Sequence, residues 1–248
     1  MQSSVTKSVK IVLTLAHVCD KIKKKGLLTL RTESQMPTIN STKIRTKHKN
    51  LYLRVSKGHF ATSHSHINYY IDVTTQKTRL SEAQAVAKEL VSYYSTSTVV
   101  DTILCLDGTQ VIGTCLTEEL TNGNYLNLNA HQTIYVVTPE HTTGSQLIFR
   151  DNIIPMITGK NVLILAASVT TGYTAQAAIE AIKYYNGAVA GVCAVFATVD
   201  ECAGYKVNSV FDPKDLGDYM TAPSHECPLC KKGQKIDALV NSFGFSKL

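Results

Sequence analysis

Three apolar runs, at residues 99–106, 161–167 and 188–197, are separated by stretches whose apolar residues recur at helical spacing. Strands that are apolar on both faces belong to sheets covered on both sides, and interleaved helices supply the cover. The pattern predicts an α/β fold built on a mainly parallel sheet with helices on both faces. Helices are expected at residues 111–120 and 173–185, the second stopped by Asn186-Gly187. Ser81-Glu82-Ala83-Gln84 reads as a capping box opening a helix that runs to about Tyr94. Further strands are expected at 51–56, 69–73 and 133–137, and a last helix at 235–241.

Composition narrows the class. Of 248 residues, 44% are hydrophobic and 18% charged, which excludes a disordered or collagen-like chain. The longest apolar stretch, at residues 162–167, is far shorter than the ~20 residues a membrane helix needs, so no membrane partner is expected. Charge is concentrated at one end. Residues 1–50 carry eleven Lys and Arg against Asp20 and Glu33, a net +9, which leaves −3 for the rest of a chain whose total is +6. Residues 1–50 are therefore expected to form a basic N-terminal arm, with a short helix over 5–25 and a polar connector over 32–50. Residues 51–248 form the α/β domain. The arm is either a solvated tail or the one place where nucleic acid would be touched. Residues 11–19 are short for a signal-peptide core, contain His17 and precede no small-x-small site. The seven cysteines, an odd number set mostly in apolar runs, suit a reducing compartment, and a cytoplasmic location is expected.

The chemistry concentrates at Val162-Leu163-Ile164-Leu165-Ala166-Ala167-Ser168-Val169-Thr170-Thr171-Gly172-Tyr173-Thr174. A buried strand runs into a hydroxyl-rich turn that opens directly into a helix. In parallel sheets, ligands gather at such carboxyl ends. Gly172 lets backbone N–H groups approach a ligand, the threonines add donors, and the helix N-terminus adds partial positive charge, which together make a phosphate cradle. A plain Thr/Gly turn with a Thr cap has the same spacing.

The segment resembles the PRPP-binding signature of type I phosphoribosyltransferases, and the likeness runs over about residues 51–200. Gly58-His59-Phe60-Ala61-Thr62-Ser63-His64-Ser65-His66-Ile67-Asn68-Tyr69-Tyr70-Ile71-Asp72 is similar to the N-terminal signature of orotate phosphoribosyltransferases. Asp107-Gly108-Thr109 lies where that family has its pyrophosphate loop, and residues 137–150 lie where it has its mobile loop. The resemblance implies that Ser168, Val169, Thr170, Thr171, Gly172, Tyr173 and Thr174 hold a 5′-phosphate. It further implies that Asp107, Gly108 and Thr109 face pyrophosphate, and that Phe60 and His64 line a base pocket. Mg²⁺ would accompany PRPP, the second substrate would be a base or nucleotide, and the chain would form a homodimer.

Three departures from the family fall within the chemistry. Ala166 and Ala167 replace two acidic residues that meet the ribose hydroxyls, removing charge-assisted bonds of about 1.5–3 kcal/mol each. The stretch Thr138-Pro139-Glu140-His141-Thr142-Thr143-Gly144-Ser145-Gln146 contains no Lys or Arg where the family carries a catalytic Lys, so His141 is the only candidate catalytic cation. Residues 198–201 end in Asp200-Glu201 where an Arg for the orotate carboxylate is expected, and two carboxylates would repel orotate. Two readings follow: a PRPP-dependent transferase acting on another base, or a non-catalytic protein that binds PRPP or a nucleotide and regulates.

Two other groupings stand out. Cys227-Pro228-Leu229-Cys230 could share a structural Zn²⁺ with His225 or the more distant Cys202, or could remain as reduced thiols or a redox pair. His59, His64 and His66 cluster beside Tyr69 and Tyr70. His64 and His66, two apart, would share one face of a strand and could serve a metal or a phosphate, or the stretch is a plain polar loop, and no acidic residue accompanies them.

Overall fold

The computed structural model describes residues 41–45, 51–122, 127–130, 132–142 and 146–248, and the helix expected over 5–25 lies outside them. The first strands are β1 (Thr42–Arg45), β2 (Tyr52–Ala61) and β3 (His66–Asp72). In β2, Leu53 and Val55 are buried while Tyr52 is exposed, the alternation of a strand with one covered face. β1 pairs antiparallel with β2 from Thr42 opposite Val55 to Arg45 opposite Tyr52. Residues 42–45 therefore belong to the sheet.

Two helices follow, α1 (Thr74–Thr78) and α2 (Leu80–Val91). The expected capping box does not form. Arg79 holds the N-cap position without a side-chain bond, and Ser81 lies one residue inside the helix, where its hydroxyl cannot serve as a cap. The apolar spacing read from the sequence holds, with Ala83, Val86, Ala87 and Leu90 buried.

The central sheet is built from β4 (Thr102–Cys105), β5 (Tyr135–Val137), β8 (Asn161–Val169), β9 (Ala188–Ala197) and β11 (Tyr205–Phe211), with a small hairpin of β6 (Glu140–His141) and β7 (Leu147–Ile148) preceding β8. Its order is β11-β9-β8-β4-β5, all parallel, and β10 (Glu201–Cys202) adds an antiparallel edge beside β11. β8 shows why the apolar run is continuous. Leu163 and Leu165 pack on one face with α2 and α3 (Gln110–Thr121), while Val162 and Ile164 pack on the other with α4 (Tyr173–Tyr184). Each such side chain, fully withdrawn from water, contributes about 1.5–3 kcal/mol. Asn186 adopts φ 57° and the Gly187 N–H donates to Ile182 O at 2.9 Å, closing α4 as its sequence predicts.

The C-terminal segment departs from expectation. In place of a helix at 235–241 there is a strand, β13 (Ala238–Asn241), following β12 (Thr221–Ala222) and the single-turn α5 (Pro228–Lys231). Ala238 and Val240 are buried while Leu239 and Asn241 are exposed, which is period two. β13 pairs parallel with β2, with Ala238 opposite Phe60, and antiparallel with β14 (Gly244–Lys247). The second sheet thus runs β12-β3-β2-β13-β14. No helix among the described residues is long and apolar enough to cross a membrane.

Candidate functional site

β8 ends at Val169, and only three residues separate it from the start of α4 at Tyr173. Gly172 occupies the N-cap at φ 81°, a left-handed conformation costly for any residue with a Cβ. A Cβ added there would stand 3.2 Å from Cys202 Sγ. The turn is held by its carbonyls. The Thr198 hydroxyl donates to Thr170 O at 2.7 Å, the Thr198 N–H to Val169 O at 3.0 Å, and the Cys202 thiol to Gly172 O at 3.4 Å. No side chain caps the N-terminus of α4. The leading amides of a twelve-residue helix therefore keep their hydrogen-bonding capacity and partial positive charge.

The turn and the start of α4 face a cleft of about 200 Å³, whose lining omits Val169, Gly172 and Tyr173. Ser168, Thr170, Thr171 and Thr174 line one side of it. The turn between β2 and β3 supplies Thr62, Ser63 and His64, whose ring lies 4.8 Å from that of Tyr173. Ile67, Tyr70 and Ile71 of β3 form an apolar wall, and the C-terminal segment closes it with Val240, Asn241 and Ser242.

Asp107 also lines the cleft. It and Gly108 adopt successive left-handed conformations, φ 56° and 78°, in the loop between β4 and α3. Thr109 is buried, and its hydroxyl donates to Leu106 O at 2.8 Å and Leu165 O at 3.0 Å, so it braces the loop. The sequence reading missed the cation at this loop because it belongs to a different element. Lys77 of α1 is buried, and its ammonium donates to Asp107 O at 2.9 Å and Ser242 O at 2.5 Å. Burial lowers its pKa, against the opposing pull of the Asp107 and Asp72 charges. The only local signal was its spacing after Asp72, and no motif contains it.

Several expected site residues lie elsewhere. Phe60 is fully buried beneath Tyr70, with ring centroids 6.1 Å apart, so Tyr70 faces the cleft in its place. His141 is exposed on the β6–β7 hairpin and is absent from the cleft lining. On that hairpin Glu140 binds Arg150 at 2.6 Å, which holds the Glu140 carboxyl below its ordinary pKa. Ala166 and Ala167 are buried, and Ser168 is the first of that run to reach the cleft. Asp200 and Glu201 are exposed and line no part of it.

His64 and His66 do not share a face. The Thr62 N–H donates to Ser65 O at 2.8 Å, a turn that leaves His64 over the cleft and sends His66 to the opposite side. There His66 joins His59, Cys227 and Cys230, whose donor atoms all lie within 4.8 Å of one another. His225 is outside this group, exposed and 3.3 Å from Glu226, and Cys202 is engaged at Gly172. Burial, and then the neighbouring His59, lower the His66 pKa.

No protein-family model matches the sequence, and no curated protein matches it. Solved structures similar to it include an orotate phosphoribosyltransferase of Mycobacterium tuberculosis H37Rv, with a TM-score of 0.47 at 19% identity over 66% of this chain and 93% of that one. A phosphoribosyltransferase of Corynebacterium diphtheriae gives 0.44 at 19% over 66% and 90%, and an adenine phosphoribosyltransferase of Trypanosoma brucei gives 0.46 at 12% over 67% and 78%. These are likenesses of fold at low identity, and what the cleft holds has to be argued from its own residues. The parallel order β11-β9-β8-β4-β5, with a strand, turn and helix at residues 161–184, is the mainly parallel α/β fold that the sequence predicts.

Proposed function

We propose that the cleft binds PRPP with Mg²⁺ and that the chain is a PRPP-dependent phosphoribosyltransferase acting on a base. One observation carries the reading: Thr174 at the uncapped N-terminus of α4 and Asp107 of the left-handed loop line one cleft, and the Lys77 ammonium stands behind it on the carbonyls of Asp107 and Ser242. Two anion-binding features facing the cleft, with a cation behind one of them, support a sugar phosphate as its ligand. The 5′-phosphate would accept from the amides at 171–174 and from the Thr171 and Thr174 hydroxyls. Ser168 and Asn241 remain to meet the ribose. The loop at 107–108, with Lys77 behind it, would stabilise pyrophosphate as the C1–O bond breaks and the bond from C1 to a base nitrogen forms. The base would lie against Ile67, Tyr70 and Val240. Mg²⁺ neutralises pyrophosphate charge when bound. Among the described residues Asp107 is the only carboxylate lining the cleft, so the residues fit an ion held by one protein ligand and chiefly by substrate oxygens.

A second reading, PRPP or nucleotide binding without turnover, is favoured by the buried Ala166 and Ala167 and by His141 standing outside the cleft. Thermal unfolding with PRPP and Mg²⁺, followed by pyrophosphate release over a panel of purine and pyrimidine bases, separates the two. Ligand at a hundred times its Kd stabilises by about 2.7 kcal/mol. Stabilisation with release supports the transferase, and stabilisation with no release on any base supports the regulator. No stabilisation by either PRPP or ribose 5-phosphate overturns both.

A further inference from the structure

We propose that His59, His66, Cys227 and Cys230 form a structural zinc site that fastens the C-terminal segment to β2 and β3. This inference does not depend on what the cleft binds.

Four of the six distances between the donor atoms match the edges of a tetrahedron, and all six are within 4.8 Å. Zinc sits about 2.3 Å from thiolate sulfur and about 2.05 Å from imidazole nitrogen, so tetrahedral edges are about 3.3 Å between nitrogens and about 3.6 Å between nitrogen and sulfur. Here His59 Nε2 and His66 Nδ1 are 3.1 Å apart. Cys227 Sγ and Cys230 Sγ stand 3.5 and 3.6 Å from His59 Nε2, and Cys230 Sγ stands 3.2 Å from His66 Nδ1.

Protonation supports the same assignment. His59 Nδ1 lies 2.9 Å from Gln234 O and 3.2 Å from Lys235 O. Both partners are carbonyls, so Nδ1 carries the proton and Nε2 presents its lone pair to the group. An outer-shell carbonyl that fixes the tautomer in this way is the usual support of a metal-bound imidazole. With both thiols ionised, two thiolates and two neutral imidazoles around Zn²⁺ have zero net charge, and binding releases the two thiol protons. The backbone is shaped for it as well. Cys227 caps α5 with Pro228 next, the Lys231 N–H donates to Cys227 O at 3.1 Å, and the Gly233 N–H donates to Cys230 O at 2.9 Å with Gly233 at φ 74°. This tight turn brings both sulfurs to one side. A dithiol acting in redox exchange has no need of two imidazoles with nitrogens turned toward its sulfurs.

The metal would grip both ends of the hairpin that carries His64 over the cleft, and the segment that leads into Val240, Asn241 and Ser242. Zinc content of the full-length protein, purified without chelator, is measured by elemental analysis and set against thiol titration. We expect one zinc per chain and two cysteines that react only after chelation. Cobalt substitution should give the visible bands of a tetrahedral site with thiolate-to-cobalt charge transfer. Cys230→Ser and His66→Ala should each weaken metal affinity at least tenfold, whereas His225→Ala should leave it unchanged. If those variants fail to fold, the wild-type cobalt spectrum and the chelator-dependent fall in Tm decide the matter without them. Metal-free protein with four unprotected ligands, a Cys227–Cys230 disulfide in anaerobically prepared protein, or loss of metal in His225→Ala overturns the proposal.

Discussion

Removing one hydroxyl from the turn before α4 tests the phosphate reading with little structural side effect. Thr171 and Thr174 both line the cleft and are exposed. Valine keeps the shape and β-branching of threonine and has a similar helix propensity, so the unliganded protein should change by no more than about 0.5 kcal/mol. A hydrogen bond to a charged phosphate is worth about 1.5–3 kcal/mol, so losing one should weaken a phosphate ester by roughly 10- to 150-fold. At a ligand concentration a hundred times the wild-type Kd, stabilisation of about 2.7 kcal/mol should then fall to between about 1.4 and 0.3 kcal/mol. The assay is urea or thermal unfolding of wild type, Thr171→Val, Thr174→Val and the double variant, with and without ribose 5-phosphate. Unchanged ligand stabilisation in the double variant would show that the phosphate, if bound at all, does not sit on this turn.

Three further outcomes are expected. Gly172→Ala must place a Cβ at φ 81° and 3.2 Å from Cys202 Sγ, and should lose about 1–2 kcal/mol in urea unfolding; equal or greater stability contradicts the left-handed cap. Lys77→Met removes the donor from the partly buried carbonyls of Asp107 and Ser242, costing about 1 kcal/mol, and should weaken pyrophosphate more than ribose 5-phosphate; equal losses for the two ligands would remove Lys77 from the pyrophosphate role. Burial pushes the Cys105 thiol up from 9.0 to about 12, and its stabilising contribution is complete below the unfolded pKa and lost as pH climbs toward the folded one. Between pH 8 and 10 the protein should therefore lose about 1.4 kcal/mol from this group alone. Cys105→Ala should flatten that slope, and stability that is flat or rising in the wild type would contradict the burial argument.

What the sequence made legible was local. β9 was read at its observed bounds because a strand buried on both faces leaves an unbroken apolar run. α4 and its stop followed from period and from Asn186-Gly187. The C-terminal strand was missed because Ala238 and Val240 offer only two buried positions, and a segment that short is settled by its pairing with β2. The capping box failed for a related reason. α1 ends at Thr78, one residue short of Arg79, so α2 starts before Ser81 can serve as its cap. Among the residues that line the candidate cleft, Ser168, Thr170, Thr171, Thr174 and Asp107 were legible as motifs. Lys77 and the partners of Cys227 and Cys230 were not, since each meets its counterpart from more than a hundred residues away or from another element.

Those long-range contacts converge on one segment. Lys77 ties Ser242 to the Asp107 loop, Ala238 pairs with Phe60, and the His59 N–H donates to Asp237 Oδ2 at 2.8 Å. The same strand, β2, carries His59 into the group with Cys227 and Cys230. Residues 227–242 are thus anchored at both ends, at the sulfurs and at the Lys77 ammonium, with Val240 and Asn241 presented to the cleft in between. A wall fixed at two points loses little conformational entropy when ligand arrives, and that lowers the cost of binding. If the cleft takes PRPP as proposed, Asn241 of this wall and Ser168 of β8 are the polar groups placed to meet the ribose, so Asn241→Ala should weaken PRPP more than inorganic phosphate, and equal losses for the two would remove the C-terminal segment from that role.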